Sequence, residues 1–154
     1  MIAAESPAGL AGLVGATATG EWFEISQERI AAFAEATEDR QWIHLDAARA
    51  ASGPFGGTIA HGYLTLSLLP RLTDGLLEVG GVAMAVNYGL DKVRFLQPVL
   101  AGSRVRAVTE LASVDETSQG VRVGMRTTVE IDGAPKPALI AETLALLVPA
   151  PARE

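Results

Sequence analysis

The chain has 154 residues, 49% of them hydrophobic and 19% charged, which is enough apolar surface for one domain to bury a continuous core and too much for a disordered chain. Twelve Lys and Arg against eighteen Asp and Glu leave a formal charge of −6, which argues against a general binder of nucleic-acid phosphates. Cysteine is absent, so disulfides, thiolate nucleophiles and Cys-based zinc or iron–sulfur sites are excluded, and nothing asks for an oxidising compartment.

Met1 to Gly20 is rich in Ala and Gly, carries no Lys or Arg ahead of its apolar part and is interrupted by Glu5 and Pro7. It makes a poor secretory signal, and the expectation is a cytoplasmic protein with a peripheral segment over residues 1–19. Trp22–Ile25 offers a short strand. Ser26 is a plausible N-cap, and Ile30, Phe33, Ala34 and Thr37 recur at three- and four-residue steps, predicting an amphipathic helix over Gln27–Thr37. That period breaks over Glu38–Leu45. Asp46 can cap a short Ala-rich turn of helix, and Ser52–Gly57, with its Pro and three glycines, must be a loop. A second helix opens near His61 or Gly62 and runs through Tyr63, Leu64, Leu66, Leu68 and Leu69; being apolar nearly all round, it is predicted to be buried on all sides. The apolar stretch Ile59–Leu69 contains His61, Thr65 and Ser67 and stops at Pro70, so no membrane span is expected.

From Val82 onward the period becomes two. Between Val121 and Ile131 the odd positions are mostly apolar while the even ones include Arg122, Arg126 and Glu130, the pattern of a strand with one wet face. Val82–Tyr88, Val93–Leu96 and Arg104–Ala112 add strands, Asp132-Gly133 supplies a hairpin-type turn, and Leu139–Val148 is apolar on both faces, as a central strand is. The fold class is therefore α+β, a curved antiparallel sheet wrapped around one helix. All 154 residues form a single domain, with 149–154 peripheral like the first nineteen.

The two histidines of the chain lie within eighteen positions of each other, in the half with the least regular structure. His44 follows Asp39 by five residues; a carboxylate and an imidazole together there can share a water or pass a proton. The same spacing also suits a loop histidine bonded to a neighbouring aspartate. Phe55-Gly-Gly-Thr-Ile-Ala-His-Gly62 precedes the second helix, whose first N–H groups lack internal acceptors, so Gly62 is placed to offer a donor to a carbonyl that gains charge. The plainer reading is that His61 and Gly62 start a core helix.

Ala36-Thr-Glu-Asp-Arg-Gln-Trp-Ile-His44-Leu-Asp46, the Phe55–Gly62 segment and Asn87-Tyr-Gly-Leu-Asp-Lys-Val-Arg-Phe-Leu-Gln-Pro-Val-Leu-Ala-Gly-Ser-Arg104 stand in that order. Together they resemble the MaoC-like dehydratases, the hot-dog-fold family that includes the (R)-specific enoyl-CoA hydratases, over about residues 20–148. Gln41-Trp42 stand where family members usually carry Asn-Pro, as in the branch resembling nodulation protein N. The resemblance implies a hot-dog fold with a long central helix, no cofactor and no metal. It implies that Asp39 and His44 hold and activate a water while the Gly62 N–H polarises a thioester oxygen. The reaction would be reversible addition of water to a trans-2-enoyl-CoA, giving the (R)-3-hydroxyacyl-CoA. A serine that orients the aspartate in some such enzymes has Pro70 as its gap-free equivalent here, so that role is not carried over.

Trp42 is a candidate wall of the acyl pocket, Asn87 and Tyr88 are candidate substrate contacts, and Arg94 is one of several cations able to meet CoA phosphates. The expected partners are an acyl-CoA substrate and a second copy of the chain, since an open sheet edge invites pairing into a homodimer; neither nucleic acid nor membrane is expected. Two competing readings are a hot-dog acyl-CoA thioesterase and a non-catalytic acyl-thioester-binding protein on the same fold.

Overall fold

In the computed structural model, residues 1–151 are described. The elements run β1 (Ile2–Ala4), a 3-10 turn (Pro7–Leu13), β2 (Thr17–Thr19), β3 (Phe23–Glu24), α1 (Gln27–Thr37), α2 (Trp42–Leu45), α3 (Ala47–Ala51), α4 (Gly62–Ser67), α5 (Leu69–Leu72), β4 (Leu77–Val79), β5 (Val82–Phe95), β6 (Arg104–Thr117), β7 (Gly120–Ile131) and β8 (Leu139–Pro149). Helix α1 has the bounds its period predicts. The Ser26 hydroxyl accepts the Arg29 N–H at 3.2 Å, Ile30 and Ala34 are buried, and Glu38 closes the helix at φ 63°. A non-glycine residue in that left-handed region turns the chain sharply just ahead of Asp39. Asp46 caps α3 by accepting the Arg49 N–H at 3.0 Å.

The main sheet is antiparallel, in the order β2-β6-β7-β8-β5, with β3 also pairing β6. In β7 the inward side chains Val123, Thr127, Val129 and Ile131 are buried. The opposite face carries ion pairs that cross between strands, Arg106–Glu130 at 2.7 Å and Arg126–Glu110 at 3.5 Å, with Arg104–Asp132 at the end. This is the alternation the sequence shows. Strand β8 lies between β7 and β5, as its two apolar faces require. The two segments expected at Val82–Tyr88 and Val93–Leu96 are one strand, β5, because register shifts at Asn87/Gly89 and Leu90/Lys92 let it bend without leaving the ladder. The turn at Asp132-Gly133 opens a longer connection, 132–138, since Pro135 and Pro137 have no N–H to give a ladder.

Three findings correct the sequence reading. The central helix comes in two short pieces: Pro70 lacks the N–H a continuous helix needs, and the chain steps at Leu68 from α4 into α5. It is not buried on all sides either, for Tyr63 is 69% exposed. Leu64, Leu68, Leu69 and Leu72 face the sheet and share a core with Val105, Val129, Leu139 and Ala141. Nor is the N-terminal segment peripheral. β1 pairs in parallel with β4, and Ile2, Leu10 and Ala18 are buried in a second core with Leu76, Leu111, Val123 and Leu147. Of the tail expected to be peripheral, residues 152–154 lie outside the described residues.

Candidate active site

Helix α2 is a single turn and cannot hold itself in place. Its tethers are lateral. Gln27 of α1 donates its side-chain amide to the His44 carbonyl at 2.8 Å and accepts the Thr58 hydroxyl, while the Ile59 N–H bonds the Ile43 carbonyl at 3.0 Å. Residues 58–60 are held in turn by Ala60 N–H to Val99 and Ala101 N–H to Thr58, at 2.8 and 2.9 Å. His44 is thereby fixed between α1 and the segment that leads into α4.

The imidazole of His44 is buried, and its Nδ1 lies 2.6 Å from the Ile59 carbonyl oxygen. A carbonyl can only accept, so Nδ1–H donates and the lone pair remains on Nε2. Burial pushes the His44 pKa below its usual 6.5. The Ile59 hydrogen bond opposes that shift, neighbouring His61 reinforces it and Asp39 opposes it. His61 is buried too and stacks on His44, with ring centroids 3.7 Å apart and planes at 24°. Asp39 is exposed, but its carboxylate and ring nitrogens of His44 and His61 lie within 4.8 Å of one another. Such a trio has the composition of a metal site, yet stacked rings hold their in-plane lone pairs side by side instead of converging on one point.

Beside His44 opens a cavity of about 350 Å³, lined among others by Ile59, Gly62, Thr65, Phe95, Gln97 and Ala138. Gly62 is the first residue of α4, so its N–H has no acceptor within the helix. The structure thus brings Asp39, His44 and Gly62 into one neighbourhood. A Cβ on Gly62 would sit 3.0 Å from the Phe95 ring, so Gly62→Ala is expected to push that ring or the helix start by a few tenths of an ångström. If the Gly62 N–H is the donor that the resemblance implies, the expected outcome is a loss of kcat/KM by about tenfold or more from its misalignment. Thermal unfolding should be little changed, because Ala favours helix and Phe95 is half exposed. Unaltered kinetics would show that the space a Cβ takes at Gly62 does not matter to the reaction, since alanine keeps the N–H.

The other candidates are placed elsewhere. Asn87 and Tyr88 line a second, larger cavity of about 770 Å³, bounded by α4, α5, β5, β7 and β8. Trp42 lies under the Arg49 guanidinium, 4.1 Å from the ring centroid, and beside Gly53, not against the His44 cavity. Arg94 donates to the Val93 carbonyl at 2.7 Å; by strand alternation it faces away from its neighbour Phe95, which lines the cavity. Sequence reasoning passed over Phe95, Thr65, Gln97 and Ala138, whose approach depends on long-range strand pairing. It also passed over His61 as a partner of His44, although the chain's having only two histidines was a usable signal.

Comparison with known proteins supplies the family. The family model described as "MaoC like domain" matches residues 13–133. The chain is similar to 3-hydroxyacyl-thioester dehydratase Z of Mycobacterium tuberculosis, with 51% identity over 91% of this chain and 94% of that protein. It is also similar to nodulation protein N of Rhizobium leguminosarum, 44% identical over 82% and 81% of the two chains. Among solved structures, the unliganded R-hydratase PhaJ1 of Pseudomonas aeruginosa superposes with a TM-score of 0.74 at 28% identity, covering 96% of this chain and 87% of that one. The antiparallel sheet laid over a central helix is accordingly a hot-dog fold, and the chain belongs to the MaoC-like dehydratase family, a hydro-lyase by descent.

Proposed function

We propose that the protein catalyses reversible addition of water to a trans-2-enoyl-CoA, giving the (R)-3-hydroxyacyl-CoA. The observation that carries this reading is the meeting of the Asp39 carboxylate and the imidazole of His44 within a few ångströms, beside the cavity that Gly62 opens. Both Asp39 and the free Nε2 of His44 are acceptors, so a water between them donates both its hydrogens and turns a lone pair toward the substrate. Its oxygen bonds C3 of the enoyl group, the thioester oxygen takes up the displaced electron pair facing the Gly62 N–H, and the proton given up by the water returns from the Asp39–His44 pair to C2. Every atom of the water ends on the product, and nothing is oxidised or reduced. The (R) configuration is taken from the resemblance to the R-hydratase, and CoA is taken as the carrier of the thioester.

The active form is proposed to be a homodimer, in which β5 meets a second copy. β5 is the sheet's edge, and Met84, Val86, Tyr88 and Leu90 on it are all at least 44% exposed, a row of large apolar side chains beside unpaired backbone groups. Sedimentation showing only monomer at assay concentrations contradicts this. No helix among the described residues is long and apolar enough to cross a membrane; together with the lack of cysteine, this fits the cytoplasmic location proposed here.

The test is loss of the enoyl absorbance with crotonyl-CoA and longer homologues, followed by chiral analysis of the 3-hydroxyacyl product. Release of free CoA thiol instead indicates a thioesterase, and saturable binding without product indicates a binding protein. No reaction at any chain length removes the hydratase reading.

A further inference from the structure

We infer that His61, which plays no part in the bond changes above, is a positioning residue: its ring clamps the Asp39 backbone and the His44 imidazole into one rigid unit with the start of α4. Its Nε2 lies 2.9 Å from the Asp39 backbone carbonyl. That oxygen can only accept, so the His61 proton is on Nε2 and the lone pair on Nδ1. Nδ1 is buried and has no hydrogen-bond partner among the described residues. A ring present only to fill space has no reason to leave a polar nitrogen unpaired in the interior, where an apolar side chain would carry no such cost. What the imidazole offers beyond packing is a directed donor on one edge and a flat face for His44 on the other.

The segment it grips needs gripping. Asp39 follows the left-handed residue Glu38 and belongs to no helix or strand. Its neighbour Arg40 is held by an N–H bond to the Glu38 carbonyl and by an exposed pair with Glu35 at 3.0 Å, ties worth little in water. Among the described residues, His61 is the buried side chain that bonds the Asp39 main chain. Its face is stacked on His44 at 3.7 Å, Phe33 of α1 backs it at 4.9 Å, and its own backbone leads directly into Gly62. One residue therefore sets the distances among the carboxylate, the imidazole and the main-chain donor, the geometry on which rate depends most steeply.

The test uses the full chain and compares His61→Phe, which keeps an aromatic face but loses the donor, with His61→Gln, whose amide nitrogen can stand where Nε2 stands. With an enoyl-CoA substrate, His61→Phe is expected to lose about 100-fold in kcat with KM changed by no more than about threefold, while His61→Gln stays within about tenfold of the parent. Rescue by glutamine and the split between kcat and KM separate positioning from bulk destabilisation, and the pH profile adds a readout of the His61–His44 contact. The groups acting on His44 are Asp39 from the α1–α2 loop, His61 from the α4 entry and the Ile59 carbonyl; β5 and the segments around it bring Phe95, Leu96, Gln97, Val99 and Ala138, none of them titratable. With His61 gone, one influence that lowers the His44 pKa is gone, and the acid limb of kcat/KM should move upward.

A measurement on the unaltered protein keeps the inference testable if a variant does not fold. Nitrogen-15 spectra of its two imidazoles should show His61 protonated on Nε2 and His44 on Nδ1. His61 with its proton on Nδ1, or a His61→Phe variant as fast as the parent, overturns the clamp, as does a folded His61→Gln as slow as His61→Phe. The inference rests on the hydratase reading, and the two fail differently. An inactive parent protein sinks that reading, whereas an active parent with indifferent His61 variants sinks only the clamp.

Discussion

Asp39→Asn and His44→Asn are each expected to reduce turnover of an enoyl-CoA by about two orders of magnitude or more while leaving the fold intact. Asp39 is exposed, so the amide replaces the carboxylate with no buried group left unpaired. At His44 asparagine is the informative choice. Its amide nitrogen can take the place of Nδ1 and keep the bond to the Ile59 carbonyl, which a smaller apolar residue would strand. What it removes is the ring nitrogen with the free lone pair. The two losses should not add in the double variant, because both residues are proposed to hold one water. In the proposed mechanism the neutral form of His44 is the working one, and burial holds its pKa below 6.5. The activity of the parent protein should therefore be retained above that value and fall only as pH drops through the lowered pKa, so the acid limb of kcat/KM lies below pH 6.5. Near-normal turnover in either single variant removes that residue from the site.

The largest expected effect on stability is at Leu139, where β8 begins. Its side chain is 0% exposed and lies in the core that joins the sheet to α4 and α5. Its register partners are Val129 on one side and Phe95 on the other, and its neighbour Ala138 accepts the Leu96 N–H at 2.8 Å. Leu139→Ala is expected to cost about 2–5 kcal/mol, a large share of the roughly 5–15 kcal/mol that holds a domain of this size together. The check is urea unfolding, with the midpoint falling and the slope unchanged. A loss below about 1 kcal/mol would mean that the site collapses around the missing atoms and that the core is not closely packed there.

How much of this was readable beforehand depends on how local the cause was. Helix α1 and strand β7 are set by their own periodicity and caps, and both lie where Ile30, Phe33 and Ala34 or the alternation over Val121–Ile131 put them. β1 and β4 are three residues each, too short to carry a period, and they exist because Ile2 and Leu76 have a shared core to enter. The break in the central helix was legible in Pro70. The exposure of Tyr63 was not, because a helix cannot show from its own residues how far a sheet will cover it. At the site, the spacing of Asp39 and His44 fits a plain loop histidine as well, and it is the family resemblance that implies their proximity, which the structure displays, and the place of Gly62 beside the same cavity as His44. The stack of His61 on His44 joins residues seventeen positions apart through the bonds of Gln27, Thr58 and Ile59, and no local pattern encodes it. Arg94 stands on the face opposite Phe95, outside the cavity lining, because the pleat alternates along β5.

Two cavities now compete for the acyl thioester, the smaller beside His44 and the larger beside Tyr88. A crystal structure of the slow His44→Asn variant soaked with an enoyl-CoA decides between them. The thioester oxygen should lie within hydrogen-bond distance of the Gly62 N–H, with C3 of the enoyl group facing a water held by Asp39. A thioester seated by Tyr88 and Leu90, its carbonyl out of reach of Gly62, contradicts the mechanism at its root.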